Sequence, residues 1–124
     1  MGQNNIPSKE DFLRAKAAGE KDGRGLSQVR KEVLNRFKDK GVHEFMLFYS
    51  RKADSFGAYI FYERDSQINE AVENGLAAEI ESSIYEGLEN VGRGAQESIS
   101  VKFEFDSHEN VVRNYESDYY NRLR

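Results

Sequence analysis

The chain carries two histidines, His43 and His108, and no cysteine. Two imidazoles can share general acid and general base work, so with a carboxylate they would suit a small ribonuclease or hydrolase. His43 falls at the head of an expected strand and His108 in an expected turn, and no spacing brings them together. Surface imidazoles without such convergence are the plainer reading. Asp106, His108 and Glu109 are hard donors within four positions. They lie among turn formers, where Asp bonds its own backbone, and no second donor cluster at metal spacing accompanies them, so no metal is expected. Gly92-Arg93-Gly94 follows a helical stretch, whereas phosphate-cradling loops follow a strand and open a helix. Ser82, Ser83 and Ser98 lack a nucleophile-elbow context. Glu79, Glu81 and Glu86 would need a shielding pocket to become an acid–base pair, and a helix exterior does not offer one. No catalytic residue, cofactor or small-molecule ligand is assigned.

A different chemistry is offered by Tyr115, Tyr119 and Tyr120 beside Glu116 and Asp118. Tyrosine gives a large contact area at small entropic cost and is enriched where proteins meet. Aromatics among carboxylates suit a basic protein partner; equally, these rings could simply cover a sheet edge.

Charge follows the same division. Residues 1–40 hold ten basic and six acidic side chains, a balance of +4, and the remainder holds eight and sixteen, a balance of −8. Asp65 through Glu89 contains seven carboxylates and no Lys or Arg. Such a block repels polyphosphate and attracts cations, so nucleic-acid binding is not expected there. A solvated helix face is the bland alternative.

The elements that must position these groups read as follows. Ser8-Lys9-Glu10-Asp11 opens a capping-box pattern for a short helix to about Ala18. Three glycines mark residues 19–25 as a loop. Leu26, Val29, Val33 and Phe37 share one face of a second helix, stopped by Gly41. Glu44–Ser50 is almost continuously apolar and suits a central strand covered on both faces, paired with Ala58–Glu63 in a hairpin. Asp65 or Ser66 then caps a long helical stretch to Val91, with Gly75 as its point of breakage. Ile99, Val101, Phe103 and Phe105 alternate with polar residues, the period of a half-buried strand. Asp106–Asn110 reads as a turn, and Val111–Tyr115 as a returning antiparallel strand.

The expected order is therefore α-α-β-β-α-β-β: an α+β single domain over residues 1–124, with helices packed on a four-stranded antiparallel sheet. Residues 1–42 form a helical N-terminal segment and residues 43–124 the α+β core. A chain of 124 residues with 8 Phe and 7 Tyr can build one modest core. It has no apolar run of membrane-spanning length, and MGQNNIPSKED lacks the apolar stretch of a secretory signal, so a cytoplasmic location is expected and membrane association is not.

Phe45–Tyr49, Tyr59–Arg64, the acidic helix after Asp65, and the run Val101-Lys102-Phe103-Glu104-Phe105-Asp106-Ser107-His108-Glu109-Asn110-Val111-Val112 together resemble small bacterial immunity proteins. These neutralise polymorphic toxins, including contact-dependent growth-inhibition toxins, and include the YezG-like antitoxins. The resemblance spans about Glu44 to Tyr120 and rests on an aromatic hairpin, an acidic helix and a closing F-x-F-D-x-x-x-N-V segment followed by Tyr and acidic residues. It implies a non-enzymatic protein that binds a cognate toxin domain 1:1, often a basic nuclease, and blocks its active site or substrate-binding surface. On that reading the partner-binding residues are Glu63, Asp65, Glu70, Glu73, Asp106, Glu109, Tyr115, Glu116, Asp118 and Tyr119. The rival expectations are a small ribonuclease or hydrolase using His43 and His108, and a self-associating adaptor.

Overall fold

A computed structural model describes residues 22–123. The expected helix from Ser8 to Ala18 and the first positions of the following loop lie outside the described residues. Among the described residues five α-helices and three strands make an α+β domain: α1 (Leu26–Phe37), β1 (Val42–Ser50), β2 (Ser55–Tyr62), α2 (Ser66–Glu73), α3 (Leu76–Asn90), β3 (Val101–Ser107), α4 (His108–Tyr115) and α5 (Tyr119–Leu123). Short 3-10 turns at Lys38–Lys40 and Gln96–Ser98 complete it.

The sheet has the order β1-β2-β3. β1 and β2 pair antiparallel from Glu44↔Phe61 to Ser50↔Ser55, whereas β2 and β3 pair parallel from Phe56↔Val101 to Tyr62↔Ser107. The expected four-stranded antiparallel sheet is thus a three-stranded mixed one. β2, not β1, is central: nearly every β2 side chain is buried, while Phe48 on the β1 edge is half exposed. The long connection through α2 and α3 allows the parallel pairing, since a tight hairpin joins only antiparallel strands.

Val111–Tyr115 is helical, not a returning strand. The local reason is a cap. Ser107 ends β3 in extended backbone, and its hydroxyl accepts a hydrogen bond from the Asn110 amide at 3.0 Å. Glu109 in the first turn and Arg113 in the last suit the helix dipole. The β-branched pair Val111-Val112 reads as strand only when that cap is overlooked.

The expected long acidic helix is two helices. Gly75 takes φ 85°, a left-handed conformation that costs an L side chain energy, and the chain turns there between α2 and α3. The core lies on one face of the sheet. Phe45, Leu47, Phe56, Ala58, Ile60 and Tyr62 meet Val29, Val33 and Phe37 of α1 and Ile80, Ile84 and Leu88 of α3. α1 and α3 approach closely at Gly87, where a Cβ would come within 2.9 Å of Val29 Cγ1. Strand alternation turns Glu44, Met46, Phe48, Tyr59, Phe61, Lys102, Glu104 and Asp106 to the opposite face. α4 and α5 fold over one end of that face through Phe61, Glu104 and Asp106.

Candidate functional site

The two histidines that the sequence leaves apart meet in space. The β1–β2 register shifts between Val42 and Glu44, so His43 is a bulged residue that departs from strand alternation. His108 opens α4, directly after the Ser107 cap. Their rings stack with centroids 3.9 Å apart and an interplanar angle of 22°. Each ring is oriented through Nδ1: His43 bonds Glu63 Oε1 at 2.8 Å, and His108 bonds the Tyr119 hydroxyl at 2.7 Å. The Tyr119 ring lies parallel to His108 at 5.9 Å and meets Phe61 edge-on at 4.8 Å. A column of β1 imidazole, α4 imidazole and α5 phenol results.

The electrostatics follow from these contacts. The His43 hydrogen bond holds the Glu63 carboxyl below the ordinary range, with further help from the charge positions of His108 and Arg64. Burial, and then the fields of Glu44, Glu63 and Asp106, push the Tyr119 phenol up to about 12, so it stays protonated and neutral. Rings in contact at 3.9 Å leave no room for a substrate between them. A dyad of imidazole and carboxylate with Nδ1 already oriented is nonetheless the usual arrangement of a general base.

Next to the column lies a polar network that the sequence did not announce. The buried Asp106 carboxylate accepts from the Ser107 amide, from Asn110 Nδ2 and from Arg122 Nε. Arg122, reaching back from α5, also bridges to Glu104. Burial opposes the Arg122 charge, but the hydrogen bonds to Glu104 and Asp106 outweigh it and raise its pKa. A second clasp ties α2 to α4. Asp65 accepts from the Ser107 hydroxyl and from Arg113 at 2.9 Å, and those two contacts, in that order, hold its carboxyl below the ordinary range. Glu109 answers by accepting from the Asp65 amide at 3.0 Å.

The ten residues expected at a partner surface therefore separate. Glu63, Asp65, Asp106, Glu109 and Tyr119 gather around α4 and α5, but their polar atoms hold the fold together. Tyr115 is partly buried beside the Arg122 guanidinium, 5.9 Å from ring centroid to Cζ. Asp118 caps α5 by accepting from the Asn121 amide at 3.2 Å. Glu70 and Glu73 project from α2, exposed, and Glu116 is exposed at the α4 C-terminus; none of the three forms an ion pair among the described residues. Within the acidic block Glu79 is compensated, by Lys40 at 3.3 Å and Arg36 at 3.7 Å. Glu86 and Glu89 stay open and border a shallow hollow with Tyr85 and Glu97.

Sequence reasoning missed Arg113, Arg122, Ser107 and Asn110. The Ser107-x-x-Asn110 cap and the Asp106/Asn110 spacing of four were the available signals; nothing local marked Arg122 as the counter-ion of Asp106. Among the described residues no three His, Asp or Glu side chains are grouped to hold a metal, and Asp106 is instead committed to Arg122. No described helix is long and apolar enough to cross a membrane. Comparison with known proteins brings no match: no family model, no curated protein and no solved structure is similar to this chain.

Proposed function

We propose that this chain is a non-enzymatic immunity protein. It binds a cognate toxin domain with a basic surface, of the nuclease kind, in a 1:1 complex and occludes its active site or substrate groove. The observation that carries the reading is the division of the carboxylates. Asp65, Glu79, Glu104 and Asp106 are matched with Arg36, Lys40, Arg113 and Arg122, whereas Glu70, Glu73, Glu86, Glu89 and Glu116 are exposed and lack a basic partner among the described residues. Asp65 binds α2 to α4, so Glu70 and Glu73 stand on a helix anchored at its start. Fixed exposed carboxylates steer a cationic partner and accelerate its association. The cytoplasm, where such a toxin acts, is the proposed location.

The test is co-expression and co-purification with the toxin domain encoded beside this chain. A 1:1 complex and protection of the producing cell are expected. Glu70→Lys with Glu73→Lys should slow association about tenfold at low salt and weaken its salt dependence. Absence of both binding and protection overturns the reading.

The stack of His43 and His108 with Glu63 favours a second reading, a small ribonuclease or hydrolase in which Glu63 orients His43 as the base. His43→Ala with His108→Ala separates the two. Acid–base turnover would vanish in the double variant, whereas toxin neutralisation would survive it.

A further inference from the structure

The geometry points to an acid-released latch: the stacked His43 and His108 hold α5 against the sheet while at most one ring is charged, and a second proton pushes α5 away.

The two rings come from opposite sides of the joint. His43 belongs to β1 and is fixed by Glu63 at the end of β2. His108 belongs to α4 and carries Tyr119 of α5 through its Nδ1. Tyr119 in turn seats on Phe61. Any force that separates the rings is therefore a force between sheet and C-terminal cap. Imidazoles change charge between pH 5 and 8, and two positive charges at ring contact repel strongly.

The surrounding charges decide how many protons the stack tolerates. From β1, Glu44 is paired with Arg30 at 2.9 Å. From β3, Asp106 and Glu104 are paired with Arg122 of α5. From the start of α2, Asp65 is paired with Arg113 of α4. Arg64, after β2, acts on Glu63 as a further positive charge. Glu109 of α4 is turned to the Asp65 amide. Of the carboxylates facing the stack, Glu63 alone touches an imidazole and lacks a Lys or Arg ion pair among the described residues. One carboxylate compensates one imidazolium. His43 has the Glu63 carboxylate in hydrogen-bond contact and His108 has the Tyr119 hydroxyl instead, so two charged rings 3.9 Å apart would share that one carboxylate contact. A charged His108 carries a proton on Nδ1 and can only donate to the Tyr119 oxygen, so the second proton also fixes the direction of the bond that carries α5.

The experiment is an NMR titration of the 124-residue chain from pH 8 to pH 4.5. It follows both imidazole signals and the heteronuclear NOE of residues 119–123. Two macroscopic steps more than about one pH unit apart are expected, as for any strongly coupled pair. The NOE of residues 119–123 should fall with the second step. His43→Phe keeps a stacked ring without its charge: His108 should then titrate in one step and α5 stay ordered to pH 4.5. His43→Gln serves the same purpose with a smaller side chain should the ring misfit. Glu63→Gln should move the first step to lower pH. The latch is overturned if the two rings titrate as independent single steps, if α5 stays ordered through both, or if the His43 variants lose α5 at the same pH as the parent chain.

Discussion

The two faces of the sheet are closed by different physics. On the inner face, α1 and α3 cover β1 and β2 with aliphatic and aromatic side chains, and Phe37, Phe45, Ile60, Ile80, Ile84 and Leu88 are almost wholly removed from solvent. On the outer face, α4 and α5 cover only one end, and they hold it through ion pairs, a helix cap and stacked rings. Beyond that cap Phe48 remains half exposed, and the bare half of the face runs along Met46, Phe48 and Tyr59. Apolar closure is non-directional and depends on area, so many side chains can share it. Polar closure depends on each donor finding its acceptor, so single substitutions undo it.

The contrast can be broken at its strongest point first. Phe37→Ala should cost about 3–5 kcal/mol, because a fully buried ring leaves a cavity between α1 and the sheet. Urea denaturation measures it, and a loss below about 1 kcal/mol would show that the inner face is not close-packed. On the outer face, Asp106→Ala takes the acceptor from Asn110 Nδ2 and Arg122 Nε, leaving Arg122 only Glu104, and should cost about 2 kcal/mol, the scale of a charged hydrogen bond lost. Its signature is local, with the Tyr119 signals moving before the core signals do.

The inner face was the part legible in the sequence. Leu26, Val29, Val33 and Phe37 recur at helical spacing and are all buried, and Gly75 breaks the acidic stretch where its spacing drifts. Periodicity reports which side of an element is apolar, and that side is the core. It does not report which polar residue meets which across long loops. His43 and His108 met only because a bulge in β1 and a cap after β3 aim them at each other, and neither device alters hydropathy. The strand expected at Val111–Tyr115 failed for a related reason: β-branched residues favour strands, but the hydrogen bond of a capping Ser overrides that preference. The parallel pairing of β3 was hidden because alternation is the same for either strand direction.

A smaller effect sharpens the comparison from within the core. Tyr62 is buried on the inner face, its ring parallel to Phe105 at 6.0 Å, and its hydroxyl has no hydrogen-bond partner among the described residues. Burial, aided by the field of Glu81, pushes this phenol up to about 12. Tyr62→Phe removes an unsatisfied hydroxyl while keeping the ring, and it should stabilise the fold by about 1 kcal/mol. A loss of stability on thermal denaturation would mean that the hydroxyl has a partner after all.

The smallest effect is acidic and belongs to the outer face. Asp65 titrates below its unfolded value because Ser107 and then Arg113 favour its charged form. Its contribution is therefore complete above the unfolded carboxylate range, about pH 4, and is lost as pH falls through the lower folded value. Arg113→Gln should raise that folded value and flatten the acid limb of the denaturation midpoint between pH 5 and pH 2. An unchanged limb would show that Ser107 alone sets it.

The parallel pairing of β2 with β3 has a consequence for synthesis. Phe56 waits for Val101, so during translation the hairpin of β1 and β2 leaves the ribosome well before its third strand exists. For that interval β2, the most apolar strand of the sheet, shows a bare row of amides and carbonyls to its surroundings. A chain cut short within α3 would keep that exposed border permanently. Premature termination should therefore yield self-adhering material in place of a smaller working unit.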